Sequence, residues 1–254
     1  MLVLLPPSEG KTAPFRGRPV DLSALSSPAL TEHRRLVLDE LGALCRDTPE
    51  RAREVLGLGP GQAHEVIRNA GLLSAPATRA DRIYTGVLYA AMGLESLDAG
   101  ARRRAGRCLA TTSSVFGLVR PSDRIPAYRL SGDVRLPQVG PIAAHWRRAL
   151  DPAVVDAAGD GVVLDLRSTT YQPFWRPGPG LARRTAVVRV LHQLGGTRTV
   201  ASHFNKATKG RLVRSLLESA ATPRTISGLV SALQDLGWQV ERDGTRIDVV
   251  VDEL

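Results

Sequence analysis

Three lysines are the residues with the clearest capacity for chemistry. The 254-residue chain carries 34 basic residues, and all but Lys11, Lys206 and Lys209 are arginine. Lysine is a compact ammonium that can lose its proton when its pKa is depressed, whereas the planar guanidinium of arginine stays charged. Positions that keep lysine in such a chain are candidates for a point charge on phosphate, or for an amine that reacts. Two of them lie three residues apart, within Thr197 to Ser219, TRTVASHFNKATKGRLVRSLLES. This stretch opens as a β-rich run, Thr197 to Phe204, and crosses Asn205 into helical spacing. Leu212, Leu216 and Leu217 share one face there, with Arg211, Arg214 and Ser215 elsewhere. A helix N-terminus presents unpaired N–H groups and roughly half a positive charge, so it favours an anion. Lys206 and Lys209 beside it strengthen that preference. The plainer alternative is a solvated helix start, and the clustering of the lysines favours a site.

Other polar groups stand at the ends of expected strands. Met1 to Leu5 reads as a short buried strand that runs into PPSEGKT, Pro6 to Thr12. The G-x-x-x-x-G-K-[ST] spacing of a phosphate loop is absent. Ser8 and Lys11 nonetheless leave the carboxyl end of a strand, where α/β sheets hold ligands. Arg167, Ser168 and Tyr171 follow a second buried strand, Gly161 to Leu166, in the same way. Leu109 to Leu130 reads as a strand, a small-residue loop, a short helix and a Pro-bounded loop. Ser113 and Ser114 do not form the G-x-S-x-G elbow, which argues against a serine hydrolase. Arg120, Tyr128 and Arg129 lie in the loop, where guanidinium groups can clamp a carboxylate or phosphate, or else tie loops together from within.

The elements that must position these groups alternate between strand and helix. Ala29 to Arg46 is helical, with Leu30, Leu36, Leu41 and Leu44 as inward positions. Asp81 to Met92 leads through Tyr84-Thr85-Gly86 into a helix, and Ser96 to Leu109 is a basic helix. Val139 to Leu150 is a helix with Trp146 inside. Thr185 to Leu191 and Thr197 to His203 pair around Gly195-Gly196. Thr225 to Leu236 is amphipathic, and Trp238 to Val251 is a hairpin about Asp243-Gly244, winged-helix-like in outline. No linker or repeat interrupts the chain. The expected fold is one α/β domain over residues 1–254, with a mixed central sheet surrounded by helices.

Composition narrows the partners. The net charge of +9 favours polyanions or phosphate-bearing ligands. No apolar run is long enough to span a bilayer, so no membrane partner is expected. Met-Leu-Val-Leu-Leu meets Pro6 at once and reads as a strand, not a leader. The separated Cys45 and Cys108 fit a reducing cytoplasm. The five histidines share no zinc spacing with them, so neither metal nor cofactor is expected. Within residues 49–73, Gly57-Leu58-Gly59-Pro60-Gly61-Gln62-Ala63 is similar to the G-h-G-x-x-x-A signature of a helix-hairpin-helix. Such a turn exposes amides that grip a DNA phosphate without reading bases, which makes Gly57, Gly59, Gly61 and Gln62 the DNA-binding candidates. The usual basic residue after the proline is missing, and an ordinary αα-corner is the alternative.

Taken in order, these segments resemble the peroxide-stress protein YaaA family of bacteria over nearly the whole chain. The carrying motifs are the N-terminal strand with its Pro/Ser/Lys loop, Tyr84-Thr85-Gly86, and Ser113 through Phe116-Gly117 to Arg120-Pro121. Asp123, Pro126, Tyr128-Arg129-Leu130, Trp146 and the Leu166/Ser168/Tyr171 pattern follow, then Ser202 with Lys206 and Gly210. The resemblance implies a cytosolic protein that limits oxidative damage during hydrogen peroxide stress, linked to lower free iron. It also implies double-stranded DNA binding through a helix-hairpin-helix in an unusual α/β fold. The departures gather at the expected pocket. Lys11 falls later than in the best-known members, Ser114 and Phe116 replace an expected Gly and Tyr, and acidic residues are missing between Ser168 and Tyr171. Lys209 stands where arginine is common, and Ala207 where a second lysine is.

Three functions follow. The first is a DNA-binding stress protein with little sequence preference. The second is an enzyme acting on a phosphate-bearing or nucleotide-like substrate, with Lys206, Lys11, Tyr128 and Ser168 in catalytic roles. Its anion-binding set is Ser8, Tyr84, Thr85, Ser113, Arg120, Arg129, Tyr171, Ser202, Lys209 and Arg211. The third is a basic globular protein whose motif residues are scaffold. The pocket reading requires the three lysines to meet in space as a receptor for negative charge, whereas the DNA reading uses Gly57 to Ala63 and the arginine surface.

Overall fold

The computed structural model describes residues 1–194, 197–200 and 205–251. Eight strands form a mixed sheet: β1 (Leu2–Leu5), β2 (Leu109–Ser113), β3 (Gly117–Val119), β4 (Val163–Asp165), β5 (Thr185–Leu194), β6 (Thr197–Val200), β7 (Gln239–Asp243) and β8 (Arg246–Val251). Their order is β7-β8-β5-β4-β1-β2-β3, with β6 paired to β5 off this path. The middle five, β8, β5, β4, β1 and β2, run parallel, and β3, β6 and β7 are antiparallel additions. Parallel strands need helical crossovers that cover both faces, and their sequences read as near-continuous apolar runs. Leu2–Leu5 is such a run, buried along its whole length.

The crossovers are supplied by α1 (Thr31–Asp47), α2 (Pro49–Val55), α3 (Ala63–Ala70), α4 (Ala80–Ile83), α5 (Val87–Met92), α6 (Ala99–Cys108), α7 (Ile142–Ala158), α8 (Pro179–Ala182), α9 (Asn205–Glu218) and α10 (Ile226–Asp235). Side chains alternate across a strand, and β1 shows this directly. Leu2 and Leu4 join a core with Leu38 and Leu41 of α1 and Trp146 of α7. Val3 and Leu5 join a second core with Met92 of α5, Ala105 of α6, Leu212 and Leu216 of α9, and Leu229 of α10. The sheet is thus the middle of three layers.

Several local expectations change. Leu36 is 57% exposed, although Leu30, Leu41 and Leu44 are buried as expected. The helix expected to end at Leu150 continues through Pro152 to Ala158. No short helix follows Ser113. The Ser113 hydroxyl accepts from the Phe116 amide at 2.9 Å and the Val115 amide at 3.3 Å, closing a tight turn into β3. Gly117 sits there at φ +72°, and a Cβ would lie 2.5 Å from the Trp146 ring, so glycine alone fits. The C-terminal hairpin turns at Gly244, φ +60°. It is no separate wing, because β8 pairs along β5 from Arg246↔Val187 to Val251↔His192 and so belongs to the central sheet.

The Gly57 segment folds as two short helices, α2 and α3, about Gly57 at φ +63° and a single 3₁₀ turn, Pro60–Gln62. The geometry does not establish a helix-hairpin-helix. α3 packs mainly on α1 and less on α2, and the Gln62 side-chain oxygen accepts the Gly59 amide at 3.0 Å. One of the amides expected to meet phosphate therefore has a partner within the turn.

Candidate functional site

The carboxyl ends of the neighbouring parallel strands β4 and β1 open onto one pocket of about 460 Å³. From β1 come Pro6 to Lys11, and from beyond β4 come Ser168, Thr170 and Tyr171. The start of α5 adds Thr85 to Tyr89, the loop after Tyr128 adds Arg129 to Ser131, and the first turn of α9 adds Lys206. A pocket at strand carboxyl ends is where open α/β sheets hold ligands. Lys11 and Lys206, from opposite ends of the chain, face the same space.

Lys11 is held from three sides. Its Nζ donates to the Ser8 carbonyl at 2.7 Å, lies 3.5 Å from the Glu9 carbonyl, and sits 4.3 Å from the centre of the Tyr128 ring. Its backbone pairs with Tyr84. Burial, joined by the Arg129 guanidinium, pulls its pKa from the ordinary 10.5 to about 7, against the opposing pull of Glu65 and Glu9. Arg129 Nη1 lies 3.9 Å from Glu9. Asn69 of α3 grips the Arg129 backbone twice, donating to its carbonyl at 2.7 Å and accepting from its amide at 2.9 Å. The helix expected to serve DNA thus braces the pocket.

Below Lys11 lies a layer of phenols. The Tyr128 hydroxyl shares hydrogen bonds with Tyr84 at 3.2 Å and with Ser113 at 2.8 Å. Tyr89 donates to the Pro6 carbonyl at 2.7 Å, shares a hydrogen bond with Thr111 at 3.0 Å, and stacks on Tyr84 with ring centres 5.4 Å apart. Burial raises the pKa of Tyr84, Tyr89, Tyr128 and Tyr171 alike, so all four remain protonated donors at neutral pH. The chain has only four tyrosines, and all belong to this site. That scarcity was the signal for Tyr89, which local pattern alone hides inside a helix.

The remaining residues divide clearly. Ser8, Thr85, Arg129, Ser168 and Tyr171 line the pocket with the two lysines. Tyr84, Ser113 and Tyr128 are buried beneath it. Lys209 is buried one turn along α9, its Nζ 3.5 Å from the Leu166 carbonyl, and burial lowers its pKa while Asp165 opposes. Arg120 lies elsewhere, donating to the carbonyls of Arg107 at 2.9 Å and Leu109 at 3.1 Å, where it ties the end of α6 to β2. Arg211 is exposed on α9 and does not line the pocket. Ser202 lies outside the described residues. Gly57, Gly59, Gly61 and Gln62 lie in the turn between α2 and α3, apart from the pocket lining. Arg167, expected at the end of its strand, is paired there with Asp165 at 2.7 Å, a partner the sequence pattern did not single out, and by donating to the carbonyls of Tyr171 and Trp175 it fixes the course of the strand-end loop.

The chain is similar to known proteins over nearly its whole length. The family model described as peroxide stress protein YaaA matches residues 1–243. A UPF0246 protein of Streptomyces coelicolor is 53% identical, with all of both chains covered. A UPF0246 protein of Corynebacterium efficiens is 41% identical over 95% of each chain, and one of Corynebacterium glutamicum 37% identical over 96% of each.

Proposed function

The chain belongs to the peroxide stress protein YaaA family, and we propose on that premise that its working part is a pocket acting on a phosphate-bearing or nucleotide-like small molecule. The observation that carries this is the meeting of Lys11 and Lys206 in one cavity at the strand ends. Exposed Lys206 supplies a point charge, and Arg129 a second fixed cation. The hydroxyls of Ser8, Ser168 and Thr170 and the protonated phenol of Tyr171 supply orienting hydrogen bonds. Lys11, poised near neutrality, can take or return a proton at the pH where a cell works. Lys209, the third lysine, is buried beside the Leu166 carbonyl and does not line the pocket. Calorimetric titration with inorganic pyrophosphate tests the proposal. Removing one charged partner costs about 1.5–3 kcal/mol, so Lys206→Ala should weaken binding by roughly 10- to 100-fold. No binding to the wild type, or equal binding to Lys206→Ala, refutes it.

A second reading has its own support. Gly57, Gly59 and Gly61 are exposed, and nothing lies within 4 Å of a Cβ built at 57 or 61, so this turn is open to a bulky partner. On this reading the protein binds double-stranded DNA without strong sequence preference. It then limits iron-driven oxidative damage in the cytoplasm under hydrogen peroxide. Its affinity should fall steeply with salt, because each neutralised phosphate releases counterions. Gly57→Val with Gly59→Val should weaken DNA binding and leave pyrophosphate binding intact. DNA affinity unchanged by that pair of substitutions rejects this interface.

A further inference from the structure

We infer that the Lys11 amine forms an imine with the aldehyde or ketone carbon of a small ligand, whose phosphate or carboxylate end lies against Arg129 and Lys206. This rests on the pocket reading above and specifies its chemistry. A neutral amine has two hydrogens and one lone pair. The Ser8 carbonyl at 2.7 Å and the face of Tyr128 at 4.3 Å can take those two hydrogens, the Glu9 carbonyl at 3.5 Å being a marginal third contact, and Lys11 lines the cavity in which the lone pair would meet a carbonyl carbon. The charged groups facing this amine are Arg129 and Arg68, which disfavour its proton, and Glu65 and Glu9, which favour it. Burial tips the balance. Two neighbouring cations and a desolvated setting are a recognised way to activate a lysine nucleophile.

The rest of the lining fits a nucleophilic amine better than a nucleophilic hydroxyl. No histidine lines the pocket among the described residues, and the Ser8 hydroxyl donates to the Gly10 carbonyl. Guanidinium groups bind anions and do not attack carbon. The step balances without any oxidant or reductant. The Lys11 lone pair adds to the carbonyl carbon while the C=O π pair moves to oxygen. A proton passes from the nitrogen to that oxygen, giving a carbinolamine. The hydroxyl then leaves with a further proton as one molecule of water, and the C=N bond forms.

The probe is glyceraldehyde 3-phosphate with cyanoborohydride at pH 7, followed by peptide mapping of the whole chain. Hydride adds to the imine carbon and makes the label permanent. An amine with a pKa of about 7 is half neutral at that pH, against about one in a few thousand for an ordinary lysine. Lys11 should therefore be labelled at least ~10-fold faster than an ordinary exposed lysine, and should carry the label ahead of Lys206, which shares the pocket. Pyrophosphate should slow labelling at Lys11 and not at the amino terminus. Glyceraldehyde without its phosphate should label Lys11 more slowly and without protection by pyrophosphate, and Lys11→Arg should lose the label. Mapping the wild type needs no variant to fold. If pyrophosphate binds yet the label goes first to Lys206, or spreads evenly, the imine is overturned and the anion pocket stands. If pyrophosphate neither binds nor protects, both fall.

Discussion

Lys11 places an amine where charge is costly, and the consequence is measurable. Its proton is held to about 10.5 in an exposed chain but only to about 7 in the fold. Between these values the unfolded state binds more protons, so this group makes stability rise with pH across that window. Its cost is fully present below pH 7 and gone above 10.5. Lys11→Met should flatten the rise, stabilising the protein relative to wild type at pH 7 and losing that advantage near pH 10. Urea midpoints at both pH values check the sign. Tyr128 offers a second test. Its hydroxyl joins Tyr84 and Ser113 in a dry interior, so Tyr128→Phe should cost about 1–3 kcal/mol by stranding partners. A change below ~0.5 kcal/mol would show that the network is dispensable, since that is the range of an ordinary surface substitution. At this scale Lys11, Lys206 and three of the four tyrosines were legible from residue type alone. Arg120 and Lys209 were not, because a motif records a residue and not the direction in which its side chain turns.

At the scale of elements, α9 delivers Lys206, and it does so by lying close against α5. A Cβ on Gly210 would meet the Leu88 carbonyl at 2.3 Å and the Met92 amide at 3.0 Å. Gly210→Ala must therefore push the helices apart at a cost of about 1–3 kcal/mol. It should also weaken pyrophosphate binding, because Lys206 retreats from the start of α5. Full stability and full affinity in Gly210→Ala would mean that this contact does not position the site. Periodicity exposed the helix itself, since Leu212, Leu216 and Leu217 are all buried. The tight turn after Ser113 escaped periodicity because a side-chain hydroxyl and one glycine make it. The α2–α3 segment read as a DNA element from its glycines. Asn69, which joins α3 to Arg129, lies outside the glycine pattern and makes its contact sixty residues away in sequence.

At the scale of the molecule, the topology accounts for the site. Five parallel strands with both faces covered leave their carboxyl ends as the natural opening, and β4 and β1 lie side by side there. Alternation of strands and helices in the sequence announced this class of fold. The adjacency of strands distant in sequence did not appear, because strand order is decided by packing between segments. On the proposed function Lys11 and Lys206 share one ligand, with Lys11 partly neutral at pH 7. Nitrogen-15 labelling of lysine alone gives three side-chain signals to follow. The Lys11 signal should titrate near pH 7 and shift together with that of Lys206 when pyrophosphate is added. A Lys11 signal that titrates near 10.5, and stays still while pyrophosphate is added, would contradict it.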